Sequence, residues 1–104
     1  MLVKTPTQAT LKKYGLSEYE WEQILLRQGG ACAVCGDIPK SLRLHIDHEH
    51  VKGWRKMPAE ERKKFVRGLV CYRDNRFFLA RGMDIDRSRA ITRYLLSYQI
   101  RRAA

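Results

Sequence analysis

A chain of 104 residues with 21 Lys and Arg against 11 Asp and Glu, formal net charge +10, can build one modest core but not two. No apolar run approaches the roughly 20 residues of a membrane span, and the N-terminus MLVKTPTQAT lacks the apolar stretch of a secretory signal. A cytoplasmic protein with reduced thiols and no membrane partner is therefore expected.

The charge asks for a polyanionic partner, and its placement is more telling than its total. Residues 51–68 hold seven Lys/Arg and two Glu, net +5, and residues 87–104 hold five Arg and no acid, again net +5. Two solvated basic faces are the bland reading. A phosphate backbone lying over both patches accounts for them better. A membrane surface fits least, because neither patch alternates with large apolar residues as an interfacial helix does.

Residues 1–10 read as a loose arm, 11–82 as the core of a single domain, and 84–104 as a basic C-terminal helix. Ser17 and Glu20 have capping-box spacing, and Trp21, Ile24 and Leu25 then recur at helical intervals until Gly29-Gly30. The stretch ACAVCGDIPKSLRLHI is punctuated by Gly and Pro and leads into a strand at about Leu42–Ile46. MPAEERKKF predicts a short helix with Pro58 in its first turn, and VRGLV, residues 66–70, predicts a second strand paired with the first. A helix follows from Asp74 to Gly82. Asp84 or Asp86 then caps a last helix, whose Ile91, Tyr94, Leu95 and Tyr98 form one apolar stripe. That stripe is expected to join the core, although an isologous contact with a second copy would also bury it. The fold class is α+β, running strand, long loop, strand, helix, with further helices on either side.

Cys32-Ala33-Val34-Cys35-Gly36 has the CxxC spacing of a zinc knuckle. Its counterpart, Cys71-Tyr72-Arg73-Asp74, is a CxxD. Three thiolates and a carboxylate oxygen can complete a tetrahedron around Zn2+, though exchanging a soft donor for a hard one weakens the site. Plain buried cysteines are the alternative. A redox role fits less well, because no βαβ pattern surrounds the CxxC.

All three histidines of the chain, His45, His48 and His50, fall in RLHIDHEHVKG, interleaved with Asp47 and Glu49. Asn75 follows His48 by 27 residues, at a predicted helix start. Phosphodiester hydrolysis needs a base for the attacking water and a counter-charge for the pentavalent phosphorane. A histidine suits the first task. A divalent cation held by a carboxylate suits the second, and an Asn oxygen can help hold it without adding charge. A histidine-rich loop without chemistry is the plain alternative.

In this order and spacing, YGLSEYEWEQILLRQGGACAVCG, LHIDHEH and VRGLVCYRDN resemble the phage recombination endonuclease VII family of HNH nucleases, over roughly residues 12–82. The resemblance implies a ββα-metal (His-Me finger) core with a separate structural zinc, and cleavage of branched DNA such as Holliday junctions in the cytoplasm of a bacterial host. Asp47 and Asn75 would hold the catalytic Mg2+ (or Mn2+), His48 would be the general base, and His45 and His50 would line the scissile phosphate. Cys32, Cys35, Cys71 and Asp74 match the four zinc positions. Paired incision implies a homodimer on DNA. Lys52, Arg55, Lys56, Arg62, Lys63, Lys64, Arg67 and Arg76, with the C-terminal arginines, would position the DNA backbone, and such contacts carry little base information.

The chain departs from the family pattern at Asp74, where a cysteine is usual, and at Phe78, where some members carry an acid. A single Arg-rich helix also stands where the best-known members have a longer C-terminal region. Two rival readings share many of these features. One is an HNH nicking endonuclease of sequence-specific or general type, such as a packaging nuclease. The other is a non-catalytic zinc module that binds DNA.

Overall fold

The computed structural model describes residues 2–79 and 82–103, and its first helix, α1 (Gln8–Tyr14), falls where the sequence suggested the end of a loose arm. The arm is docked instead. Val3 and Leu11 are buried in the core, and the Lys4 N–H donates to the Leu42 carbonyl at 2.7 Å. Thr7 caps α1 by accepting the Thr10 N–H, and Gly15, at φ 72°, ends it in the left-handed conformation. A seven-residue helix with one buried side chain has no apolar period to read, so the pattern was silent here. Gly15 is needed on steric grounds too: a Cβ there would lie 2.0 Å from the Ala59 carbonyl oxygen. This is where α1 packs on α3 (Ala59–Lys63), for which Pro58 is the N-cap.

Helix α2 (Glu18–Arg27) starts with the expected capping box: Ser17 Oγ accepts the Glu20 N–H at 3.0 Å and Glu20 Oε1 accepts the Ser17 N–H at 2.9 Å. Trp21 and Leu25 supply its buried face. Beyond its end, the Gln28 side chain works like a short piece of strand. It donates to the Leu69 carbonyl at 2.8 Å and accepts the Leu69 N–H at 2.8 Å, satisfying the free edge of β2. Its amide also donates to the Ala31 carbonyl, tying the cysteine loop to the sheet.

The sheet has two antiparallel strands, β1 (His45–His48) and β2 (Val66–Val70), with Ile46 opposite Leu69 and Asp47 opposite Gly68. Strand β2 has the expected bounds. Strand β1 starts three residues later than read, because Leu42 adopts φ 60°, outside the extended region. After Asp47 the register slips, so that His48 faces Val66 and Arg67 is the extra residue of a bulge. The core gathers Val3, Leu11, Leu16, Trp21, Leu25, Cys32, Leu44, Ile46, Leu69 and Val70.

The helix expected over 74–82 is π-helical over Asp74–Leu79, after two helical residues at 72–73, and residues 80–81 of that expectation lie outside the described residues. Helix α4 (Ile85–Ala103) is capped by Asp84, which accepts the Arg87 N–H at 2.8 Å. Its apolar stripe does not join the core as expected. Ile91, Tyr94, Leu95 and Tyr98 are 44–75% exposed, and no described residue of α4 is buried. Periodicity reports that one face of a helix is apolar but not what covers it. No helix among the described residues is long and apolar enough to cross a membrane.

Candidate active site and metal centre

The three histidines do converge. His45, His48 and His50 line one cavity of about 240 Å3, together with Asn75 and Arg76 from the π-helical segment and Tyr14 from α1. His48 is held most firmly. Trp54 stacks on its ring at 4.0 Å between centroids and 22° between planes, Tyr14 packs at 5.7 Å, and His50 meets it edge-on at 5.0 Å. Burial pushes the His48 imidazole below its ordinary value, helped by His50, Arg67 and Lys13 and opposed by Asp47. A ring with that bias is neutral at pH 7 and can accept a proton. His45 is exposed on the near side, its ring 5.6 Å from Tyr72.

Asp47, which the resemblance puts in the same site as these histidines, does not line the cavity. Its carboxylate is buried and bound to Arg67 by two bonds, Nε to Oδ2 at 2.7 Å and Nη2 to Oδ1 at 3.0 Å. The bulge makes this possible. Arg67 would normally point to the face opposite Gly68 and Asp47, and the extra residue re-aims it. Each oxygen of Asp47 thus accepts one guanidinium N–H, and among the described residues no other His, Cys, Asp or Glu joins Asp47 in a group that could hold a metal.

The zinc constellation fits its group much better. One donor atom each from Cys32, Cys35, Cys71 and Asp74 lies within 4.8 Å of all the others. A tetrahedron with Zn–S near 2.3 Å needs sulfurs about 3.8 Å apart, so little adjustment is required. All three cysteines are free. Asp74, buried, sits 3.1 Å from Cys71 Sγ and 3.3 Å from Cys32 Sγ. The Cys71 thiol is pushed up to about 11, by burial first and by the Asp74 and Cys32 neighbours. Burial works against ionisation at Cys32 too, but backbone N–H groups of Cys35, Cys71 and Val34 outweigh it and hold that thiol below its ordinary value. Donors this crowded suit a cation that replaces their protons. Four such residues could hold zinc.

The basic residues divide into groups. Arg55 and Lys56 line a second cavity of about 440 Å3 on the other side of His48 and His50, joined by Lys13, which the sequence reading did not single out. Lys52 is exposed nearby. Arg62 lies over the Trp54 ring at 5.6 Å. Lys63 and Lys64 are partnered by Glu20 at 2.7 Å and Glu61 at 3.1 Å, which spends part of their charge within the protein. Tyr14, Trp54 and Gln28 were also missed. For Trp54 there was a signal, a lone large aromatic inside the otherwise polar run KGWRK. Gln28 offered none.

The family model for recombination endonuclease VII matches residues 7–99. Among curated proteins, the Gene 59 protein of Mycobacterium phage L5 is 34% identical over 89 residues, covering 84% of this chain and 48% of that protein. The Gene 59 protein of Mycobacterium phage D29 is 33% identical over 75 residues, covering 71% of this chain and 39% of that protein. The chain thus spans about half or less of the length of the curated relatives it matches. No solved structure matches significantly.

Proposed function

The chain belongs to the recombination endonuclease VII family, and from that membership we propose that it is a DNA endonuclease, hydrolysing phosphodiesters of branched DNA at the histidine-lined cavity. The observation that carries this reading is His48: an imidazole stacked on Trp54, biased towards the neutral form, and facing a cavity that also presents Asn75 and Arg76. His48 accepts a proton from the attacking water. His45 and His50 lie where they can hydrogen-bond the phosphate, and Arg76 supplies positive charge beside it. Trp54 and Tyr14 hold the base in orientation.

In this reading β1, β2 and the π-helical segment form a ββα-metal core, braced by zinc on Cys32, Cys35, Cys71 and Asp74. A catalytic Mg2+ or Mn2+ would be held by Asp47 and Asn75, and when bound it would offset charge on the phosphorane and steady the leaving oxygen. Asp47 also accepts two N–H bonds from Arg67, which would leave lone pairs on both oxygens for the ion. Lys13, Lys52, Arg55 and Lys56 track the DNA backbone beside the cavity. The exposed stripe of α4 pairs two copies, which gives the two active sites that symmetric incision of a junction needs. Action in the host cytoplasm belongs to the same proposal.

The test is cleavage of a four-way junction against matched linear duplex. Preferential, paired incision of the junction supports a resolvase, whereas single nicks in any duplex would make it a nicking endonuclease with the same catalytic half.

A further inference from the structure

We propose that the N-terminal arm completes the DNA site: Lys4 and Arg43 hold a backbone phosphate on the flank of the histidine-lined cavity opposite Lys13, Arg55 and Lys56. This rests on the reading of that cavity as the place where DNA lies. Lys4 and Arg43 are far apart in the chain, yet they line one cavity of about 260 Å3 together with His45 and Asn75. Their backbones are fixed before DNA arrives. The Lys4 N–H donates to the Leu42 carbonyl at 2.7 Å, Val3 beside it is buried in the core, and Arg43 stands between Leu42 and the buried Leu44. Both residues remain exposed, and among the described residues neither is in an ion pair.

The three cavities run together. Tyr14, His45 and Asn75 line both the arm cavity and the histidine cavity, and His48 and His50 line both the histidine cavity and the one with Lys13, Arg55 and Lys56. Among the described residues no Asp or Glu lines any of the three, whereas the space beside α4 is lined by Glu49, Asp84 and Asp86. An acid-free track with cations at both ends and imidazoles in the middle suits a polyanion laid along it. A DNA strand carries a phosphate about every 3.4 Å of its axis, so a strand held over Lys13, Arg55 and Lys56 still presents phosphates beyond the histidines. Lys4 and Arg43 are the cations that meet them. A strand gripped on one flank can pivot, and gripped on both it fixes the phosphate between against His48.

The experiment is binding of a four-way junction to the full chain with Mg2+ withheld, followed over a range of salt. The proteins are wild type, Lys4→Ala/Arg43→Ala, the charge-keeping Lys4→Arg/Arg43→Lys, and Arg55→Ala/Lys56→Ala. Lys4→Ala/Arg43→Ala should lose about tenfold in affinity and flatten the log–log salt slope by about one to two units. The charge-keeping variant should stay within about threefold of wild type. Junctions carrying one uncharged methylphosphonate at each linkage in turn locate the contact: wild type should lose affinity at a linkage where Lys4→Ala/Arg43→Ala loses none. If Lys4→Ala/Arg43→Ala keeps wild-type affinity and slope while Arg55→Ala/Lys56→Ala loses both, the arm site is overturned and the cavity reading stands. A charge-keeping variant as weak as the alanine one, or no linkage whose effect depends on Lys4 and Arg43, overturns the arm site too. Wild-type affinity and slope in both alanine variants would place the DNA elsewhere and overturn both readings.

Discussion

His48 owes its chemistry to its neighbours. Trp54 and Tyr14 shield the ring from water, and desolvation disfavours the charged imidazolium. Replacing His48 with Ala is expected to lower cleavage by about 10²–10⁴ while leaving DNA affinity in place, because a positioned base contributes about that factor; single-turnover rates and a binding titration on the same junction would show the split. The lowered proton affinity also fixes a sign for stability. The unfolded chain binds the proton first, near pH 6.5, so stability should fall as pH drops from there towards the folded value and stop falling below it. Trp54→Ala removes the stacking face and should raise the His48 value towards 6.5, read by NMR titration of the ring. An unchanged titration would mean that Trp54 does not set the environment of this ring.

The short elements around the sheet depend on staples more than on propensity. Helix α1 has seven residues, α3 five, and the sheet two strands, none of which is stable alone. A zinc ion at the CxxC–CxxD cluster would join the loop after α2 to the start of the π-helical segment across β2. Cys32→Ser or chelation should therefore unfold the protein in circular dichroism, and Asp74→Cys should tighten zinc in a competition assay. Gly15→Ala introduces both a left-handed backbone strain and a clash with Ala59, and should destabilise by at least about 1–3 kcal/mol in denaturant melts.

The same elements show what the sequence could reveal. The capping box of α2, the strand VRGLV and the cysteine cluster were legible because each is fixed by local spacing. Helix α1, the late start of β1 and the Gln28 edge contact were not. They are set by contacts with residues 42, 59 and 69, far along the chain, and by one left-handed leucine. The site followed the same division: His45, His48 and His50 announced themselves, whereas the pairing of Asp47 with Arg67 depends on a bulge that no spacing displays.

The molecule as a whole is strongly basic and elongated, with principal extents of 54 × 34 × 20 Å and α4 exposed along its described length. Binding to DNA should weaken with salt at about −0.9 in log–log slope per phosphate neutralised, roughly −4 to −7 for five to eight contacts. Charge reversal at Arg55 and Lys56, beside the histidines, should flatten that slope more than reversal at Lys63 and Lys64, which are already partnered by Glu20 and Glu61. Equal effects from both pairs would place the DNA elsewhere. Sedimentation should find two chains per junction, and Leu95→Glu on α4 should reduce this to one. The endonuclease reading itself is tested most directly by incubating wild type and His48→Ala with a four-way junction, with Mg2+ and with Mg2+ withheld. Wild type should cut the junction only when Mg2+ is present, and His48→Ala should bind it equally but cut at least about 10²-fold more slowly. A wild-type protein that binds the junction tightly and cuts no DNA, or a His48→Ala variant that cuts at the wild-type rate, would contradict it.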